Sequence, residues 1–334
     1  MHMKERTVIR KWQLLRWRSN REEADFSDAD FIAVGKRVFR DRRHLEKVIF
    51  PPMLSAIKTD AFRECPRLFS VTLPAENNVG IAAGAFADCI RLREVIHSEL
   101  VSTVGMGSFE NCRMLREFPF GRELRRIGDF AFRGCASLTA VTLPSCLIGI
   151  GTAAFADCTE LNQLELEDSL SALSPELFRG CISLSEIKLP STLQMLPSGV
   201  FRDCSALREL TVPTGIRKIG SSAFRGCARL RKVTLEIGVQ RIGAFAFAGT
   251  AGLEEIYVPH TIKFLAFGAF GLGTTQKPPT LYVDNEYMRR RMKRLLLLCG
   301  SAGRVRICVI GKSIEERKRE RHRSTVHQTP THLT

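Results

Sequence analysis

Phenylalanine recurs at a fixed interval through most of the chain, and that regularity restricts the fold more than any other feature. Phe39, Phe62, Phe86, Phe109, Phe132, Phe155, Phe178, Phe201, Phe224, Phe247 and Phe270 are spaced by 23 residues, except that Phe62 and Phe86 are 24 apart. The extra residue is assigned to the segment Ala75–Gly80, read as a loop, where insertions are tolerated best. Other columns keep step. An apolar residue stands five positions before each Phe (Val34, Ile57, Ile127 and Ile219 among them), and a Leu six positions after, from Leu45 to Leu253, with Gln276 breaking the series. A unit this short cannot enclose a core of its own. Its apolar side must be covered by the next unit, so the chain has to stack.

The phase within a unit supplies local structure. Val141-Thr142-Leu143-Pro144, Ile187-Lys188-Leu189-Pro190 and Leu210-Thr211-Val212-Pro213 alternate apolar and polar residues and stop at a residue with no amide donor, which predicts short strands with one buried face. A second apolar pair follows, such as Ile216 and Ile219, and then a tight or helical turn around the Ala-Phe segment. The expected fold class is therefore a repeat solenoid of the leucine-rich-repeat kind. It has a parallel β-sheet on one face, short turns or helical turns on the other, and helical caps at the ends. Eleven turns at a strand spacing of ~4.8 Å extend over about 50 Å.

The repeated pattern LxxVxLPxxLxxIGxxAFxxC, seen at Leu138–Cys158 and Leu207–Cys227, resembles the BspA-like class of leucine-rich repeats. The resemblance covers Val34 to Phe270. It implies a solenoid used for adhesion or protein binding, without specifying the partner. Many members of that class are surface proteins with a signal peptide. Here Met1–Asn20 is interrupted by Lys4, Glu5, Arg6, Arg10, Lys11, Arg16 and Arg18 and forms no apolar run, so the expectation is an intracellular, cytoplasmic protein. An Arg-rich amphipathic N-terminus also fits an organelle-targeting presequence. The densest apolar run, Leu295–Cys299, is too short to be a transmembrane segment.

Four segments follow. Residues 1–33 are expected to be a basic N-terminal segment forming a helical cap, with Val8, Trp12 and Leu15 on one stripe. Residues 34–275 are the solenoid of about eleven turns. Residues 276–311 are a C-terminal cap of strand, helix and strand. Residues 312–334, where Arg317, Lys318, Arg319, Arg321 and Arg323 alternate with acids, are expected to be a disordered basic tail.

Chemistry-bearing residues give little support to catalysis. Eight of the eleven cysteines sit three positions after a repeat Phe: Cys65, Cys89, Cys112, Cys135, Cys158, Cys181, Cys204 and Cys227. One column at one structural position reads as a ladder of small buried side chains rather than a metal cluster, with disulfide staples between rungs as the alternative. The histidines are scattered, and no phosphate-binding loop, zinc-protease motif or nucleophile elbow is present. The expectation is no enzyme activity, no cofactor and no metal.

The net charge of +15 and pI of about 9.6 favour acidic partners. Three surfaces are candidates. The first is the outward row of the sheet, Thr72, Ile96, Pro119, Thr142, Glu165, Lys188, Thr211, Thr234 and Tyr257, of which Thr142 to Tyr257 are taken as a protein-binding face. The second is an arginine column directly after the Phe, including Arg179, Arg202 and Arg225. It reads either as a row tracking phosphates or as a solvated convex side. The third is the cluster Arg289, Arg290, Arg291, Lys293 and Arg294, which suits an RNA or anionic-surface contact or the wet side of a capping helix. The functional reading is a non-catalytic protein-binding scaffold. The alternatives are a structural subunit of an RNA-containing assembly anchored by basic termini, and a surface adhesin.

Overall fold

The computed structural model describes residues 7–9, 22–168, 170–271, 278–300 and 305–310. Each repeat is one coil with three hydrogen-bonded sides. The first side carries the expected strands. Glu23–Asp25, Lys47–Ile49, Ser70–Thr72 and Glu94–Ile96 form one parallel sheet, and Ala140–Leu143 pairs with Gln163–Leu166. Glu209–Val212, Lys232–Leu235, Glu255–Tyr257, Thr280–Val283 and Arg306–Val309 form another. Alternation puts Val141, Leu143, Leu210 and Val212 inside and Thr142 and Thr211 outside.

The second side is more ordered than the sequence predicts. The last residue of the second apolar pair, with the residue before it, forms a short strand in most turns, so a second parallel sheet runs alongside the first. Thr7–Ile9, Phe31–Val34, Ala56–Ile57, Val79–Ile81, Val101–Val104, Arg126–Ile127 and Gly149–Ile150 make one stretch of it. Met195–Leu196, Lys218–Ile219, Arg241–Ile242 and Phe264–Leu265 make the other.

The third side is the turn that contains the phenylalanine. Every ring of the repeat column, from Phe39 to Phe270, is fully buried. Successive rings stack with centroids 4.8 Å apart for Phe39–Phe62, 5.3 Å for Phe132–Phe155 and 5.8 Å for Phe155–Phe178. The Phe amide also bridges coils: Phe132 N–H donates to Ala154 O at 2.8 Å, and Phe224 N–H to Ala246 O at 2.8 Å. This turn needs left-handed backbone at two places, one of them two residues beyond each Phe from Phe39 to Phe247, where Asp157 (φ 60°), Gly180 (φ 74°), Asp203 (φ 60°) and Gly226 (φ 77°) stand. That requirement accounts for the Gly, Asp and Asn that fill this column apart from Glu64.

Coils approach closely where the second strand ends. A Cβ on Gly151 would lie 2.1 Å from Asp129 N and 2.3 Å from Gly128 C, so only glycine fits at this contact.

The first sheet lapses twice. At Glu117–Phe120, Pro119 removes the amide donor a ladder needs. At Glu186–Leu189 the predicted strand around Lys188 keeps its in–out alternation, but forms no ladder; nothing in the segment itself accounts for the break. The second sheet lapses in the same coil, between Gly149–Ile150 and Met195–Leu196. The phenylalanine column continues across it: Phe178 N–H donates to Val200 O at 2.9 Å, and the Phe178 and Phe201 rings are 5.7 Å apart.

The two ends differ. Thr7–Ile9 is a strand paired with Phe31–Val34, which replaces the expected helix at Val8, while Trp12 and Leu15 lie outside the described residues. Glu23–Asp25 and Phe31–Val34 already belong to the solenoid, so the repeat architecture begins before residue 34. The C-terminal end is strand, helix and strand: Thr280–Val283, Glu286–Leu298 and Arg306–Val309. Asn285 caps the helix by accepting from Met288 N–H at 2.9 Å. Its buried stripe is Met288, Met292 and Leu296, while Leu297 and Leu298 are exposed, so methionines rather than a block of leucines close the core. The expected disordered tail at 312–334 lies outside the described residues.

Two variants test this account. Phe155→Ala is expected to cost about 3–5 kcal/mol, the range for removing a buried aromatic ring, read from chemical denaturation. Gly151→Ala is expected to cost at least about 2 kcal/mol because two backbones must separate. Near-wild-type midpoints for both would contradict the packing described.

Candidate functional site

The outward row of the first sheet is presented by backbone ladders, which fix the positions of its side chains. Thr142 and Glu165 are register partners, and the Thr142 hydroxyl donates to Glu165 Oε2 at 3.3 Å. Thr211, Thr234, Tyr257 and Tyr282 follow one another in register across four strands. Thr142, Glu165, Lys188 and Thr211 are exposed; Thr234 and Tyr257 are half-buried. Lys188 stands apart from any ladder. The lapse beside it opens a cleft of about 580 Å³ lined by Ser185, Lys188, Arg208 and Thr211 among others.

Tyr257 is part of an aromatic cluster. Its ring stacks on Tyr282 with centroids 4.7 Å apart, its hydroxyl donates to Glu255 Oε2 at 3.2 Å, and Lys232 Nζ lies 5.7 Å from its centroid. Tyr282, Lys232 and Glu255 are absent from the residues picked out of the sequence. Tyr282 escapes because it follows Tyr257 by 25 residues rather than 23, so the repeat period does not align the pair.

The arginine column on the side of the phenylalanine turns is not a row of free cations. Arg179 contacts Asp157 at 2.9 Å and Glu176 at 3.1 Å, and Arg202 contacts Asp203 at 3.3 Å. Arg63 reaches Asp60, Glu64 and Asp88 within 3.6 Å, and Arg133 pairs with Glu110. Burial disfavours charge on the Arg63 guanidinium, and the surrounding carboxylates outweigh this and raise its pKa. Arg225 is exposed. The acids were legible as a column two positions after the Phe (Glu64, Asp88, Asp157, Asp203). Each exposed pair contributes at most about 1 kcal/mol, yet together they balance the charge of this side.

The third candidate, the helix Glu286–Leu298, places Arg290, Lys293 and Arg294 in solvent and leaves Arg291 half-buried. Arg289 pairs with Glu286 at 3.1 Å. The three candidate sets thus occupy different sides of the molecule and do not converge on one pocket.

The cysteine column forms a thiol ladder. Each thiol donates to the carbonyl of the Phe one coil earlier, from Cys65 Sγ to Phe39 O at 3.1 Å through Cys158 Sγ to Phe132 O at 3.3 Å to Cys227 Sγ to Phe201 O at 3.2 Å. All are free and buried. Burial pushes the thiols of Cys89, Cys112, Cys135, Cys158, Cys181, Cys204 and Cys227 far up, which disfavours the thiolate that a nucleophile needs at neutral pH. Where the column changes to Thr250, the hydroxyl bonds its own coil at Phe247 O instead, at 2.8 Å. Among the described residues, no group of three His, Cys, Asp or Glu is arranged to hold a metal ion, and no helix is long and apolar enough to cross a membrane. His97 sits at positive φ (64°) ahead of a short 3-10 turn at Ser98–Leu100, 3.4 Å from Glu99.

Stacked parallel-strand coils with an apolar column at every turn define a leucine-rich-repeat solenoid. Within that class, the BspA type leucine-rich-repeat region matches residues 32–162 and 149–274, with six copies, and the chain belongs to that family. A comparison with curated protein sequences finds no match. Among solved structures, a leucine-rich cell surface protein from Faecalibacterium prausnitzii is similar, at 20% identity over 90% of each chain and a TM-score of 0.50. A leucine-rich repeat protein from Bacteroides ovatus shares 19% identity over 84% of this chain and 88% of its own, with a TM-score of 0.45.

The thiol ladder makes stability fall in alkali. The native pKa values are raised above the ordinary thiol value of about 8.5, so the unfolded chain loses protons first. Stability is expected to be intact below about pH 8.5 and to decline above it, by up to about 1.4 kcal/mol per pH unit for each raised thiol. Denaturation midpoints in reductant check this, and a flat profile to pH 10 would contradict it. In the native protein a thiol reagent is expected to label the exposed Cys308 first, with the ladder reacting only on unfolding.

Proposed function

We propose that the chain is a non-catalytic scaffold that binds a protein through the outward face of its first sheet, between Thr142 and Tyr282. The observation that carries this reading is a pairing of features on one rigid surface. The cleft at Lys188 and Thr211 lies on the same face as the stacked Tyr257–Tyr282 pair, with Lys232 and Glu255 beside it. Aromatic anchors next to charged groups are the composition of binding hot spots. Strand ladders hold the tyrosines in place before any partner arrives, which lowers the ordering cost of association.

Two further observations support it. The thiols that could have served as nucleophiles are buried and protonated. The arginine row that would have to contact phosphates in an RNA-assembly reading is largely engaged by Asp157, Glu176 and Asp203.

The test is a pull-down with the full chain from nuclease-treated lysate at moderate salt, run beside the double variant Lys188→Glu, Tyr257→Ala. A specific protein retained by the wild type is expected to bind the variant at least tenfold more weakly, in keeping with hot-spot losses of about 2 kcal/mol. Equal retention by the variant would exclude this face. Loss of all bound material with nuclease would replace the reading with a nucleic-acid one.

A further inference from the structure

We propose that a second surface, the C-terminal half of the second sheet together with the outer side of the capping helix, docks onto an anionic lipid bilayer. Met195, Lys218, Arg241 and Phe264 lie in one register row across four adjacent strands, and all four are exposed. Arg217 and Lys263 are the exposed residues immediately before two of them. The segments that build this side, 192–198, 214–222, 237–245 and 260–268, contain no Asp or Glu. Among the described residues none of Arg217, Lys218, Arg241 and Lys263 forms an ion pair, in contrast to the carboxylate-bound arginines of the phenylalanine turns.

Large apolar side chains share this end of the molecule. Phe264 is 48% and Phe267 68% exposed. Phe267 packs edge-on against the exposed Phe245, with centroids 5.7 Å apart. The helix end is stitched to the same turn, where Gly268 N–H donates to Cys299 O at 2.8 Å. There Leu297 and Leu298 are 69% and 74% exposed, and Arg290 and Arg294 are exposed on the same helix.

Unpaired cations interleaved with exposed Phe, Leu and Met suit an interface that takes both kinds of group. Apolar side chains enter the headgroup–acyl boundary while Lys and Arg meet anionic headgroups. Single-stranded nucleic acid would use the cations and an aromatic platform, but has no use for Met195, Leu297 or Leu298. Arg241 lies over the Phe264 ring, 5.5 Å from its centroid, so one face of that ring is already occupied by a cation.

The test is co-sedimentation of the full chain with phosphatidylserine-containing and with pure phosphatidylcholine vesicles. Binding to the anionic vesicles is expected, with little to the neutral ones. Lys218→Glu with Arg241→Glu should weaken it by roughly tenfold or more, since each cation near an anionic membrane adds to affinity. Phe267→Ser with Leu298→Ser, both at exposed positions, should weaken it severalfold while leaving the thermal midpoint near wild type. Three results would overturn the proposal. One is no binding to anionic vesicles. Another is binding unchanged in both variants. The third is binding sensitive to the charge reversals but indifferent to the apolar substitutions, which would report a purely electrostatic contact of the kind RNA provides.

Discussion

The stacked phenylalanine column runs unbroken from Phe39 to Phe270, including the coil where both sheets lapse. Ring stacking at this spacing is favourable beyond the area it buries, and here it is coupled to an amide hydrogen bond from each column Phe between Phe39 and Phe247 to the next coil. Each turn therefore depends on its neighbours through one buried ring, several backbone hydrogen bonds and, in most coils, one thiol. The sheets are laid over that spine. They can be interrupted at Pro119 or at Glu186–Leu189 without interrupting the core, because the column spans the gap.

This arrangement separates stability from recognition. Inside, identical residues repeat because each coil must fit the same neighbours; a cysteine is small enough to be buried and still offers a donor to the Phe carbonyl one coil earlier. Outside, nothing in the stacking specifies a side chain, and the three sides have diverged. The phenylalanine turns pair Arg with Asp and Glu of the same and neighbouring coils. The first sheet carries Thr, Glu, Lys and paired tyrosines. The second sheet in its C-terminal half carries cations without acids. Among the described residues, cations without an ion-pair partner gather on this side rather than on the phenylalanine turns.

Most of the fold was legible in the sequence because stacking imposes a period, and period is visible in one dimension. The columns led to the coil, the core residues, the thiol ladder and the closing strand–helix–strand. What escaped depends on contacts that the period does not encode. The second sheet arises from pairs as short as Lys218–Ile219, too brief for alternation to show. The start at Thr7–Ile9 is a single strand recognised only by its pairing with Phe31–Val34. The candidate site was legible in part: Lys188, Thr211 and Tyr257 follow from alternation. Tyr282 is hidden by the longer connection before it, and the cleft at Lys188 arises from missing ladder bonds in a segment whose sequence reads as a strand.

Native-state hydrogen exchange measures the central claim most directly. If the phenylalanine column joins the coils into one cooperative unit, the amides of Phe155, Phe178 and Phe201 should exchange only through global unfolding. Those of Glu186–Leu189, which lack ladder partners, should exchange by local opening. If the Phe178 amide instead exchanges as readily as that neighbouring segment, the solenoid is two separately unfolding halves and the stacked column is not what holds it together.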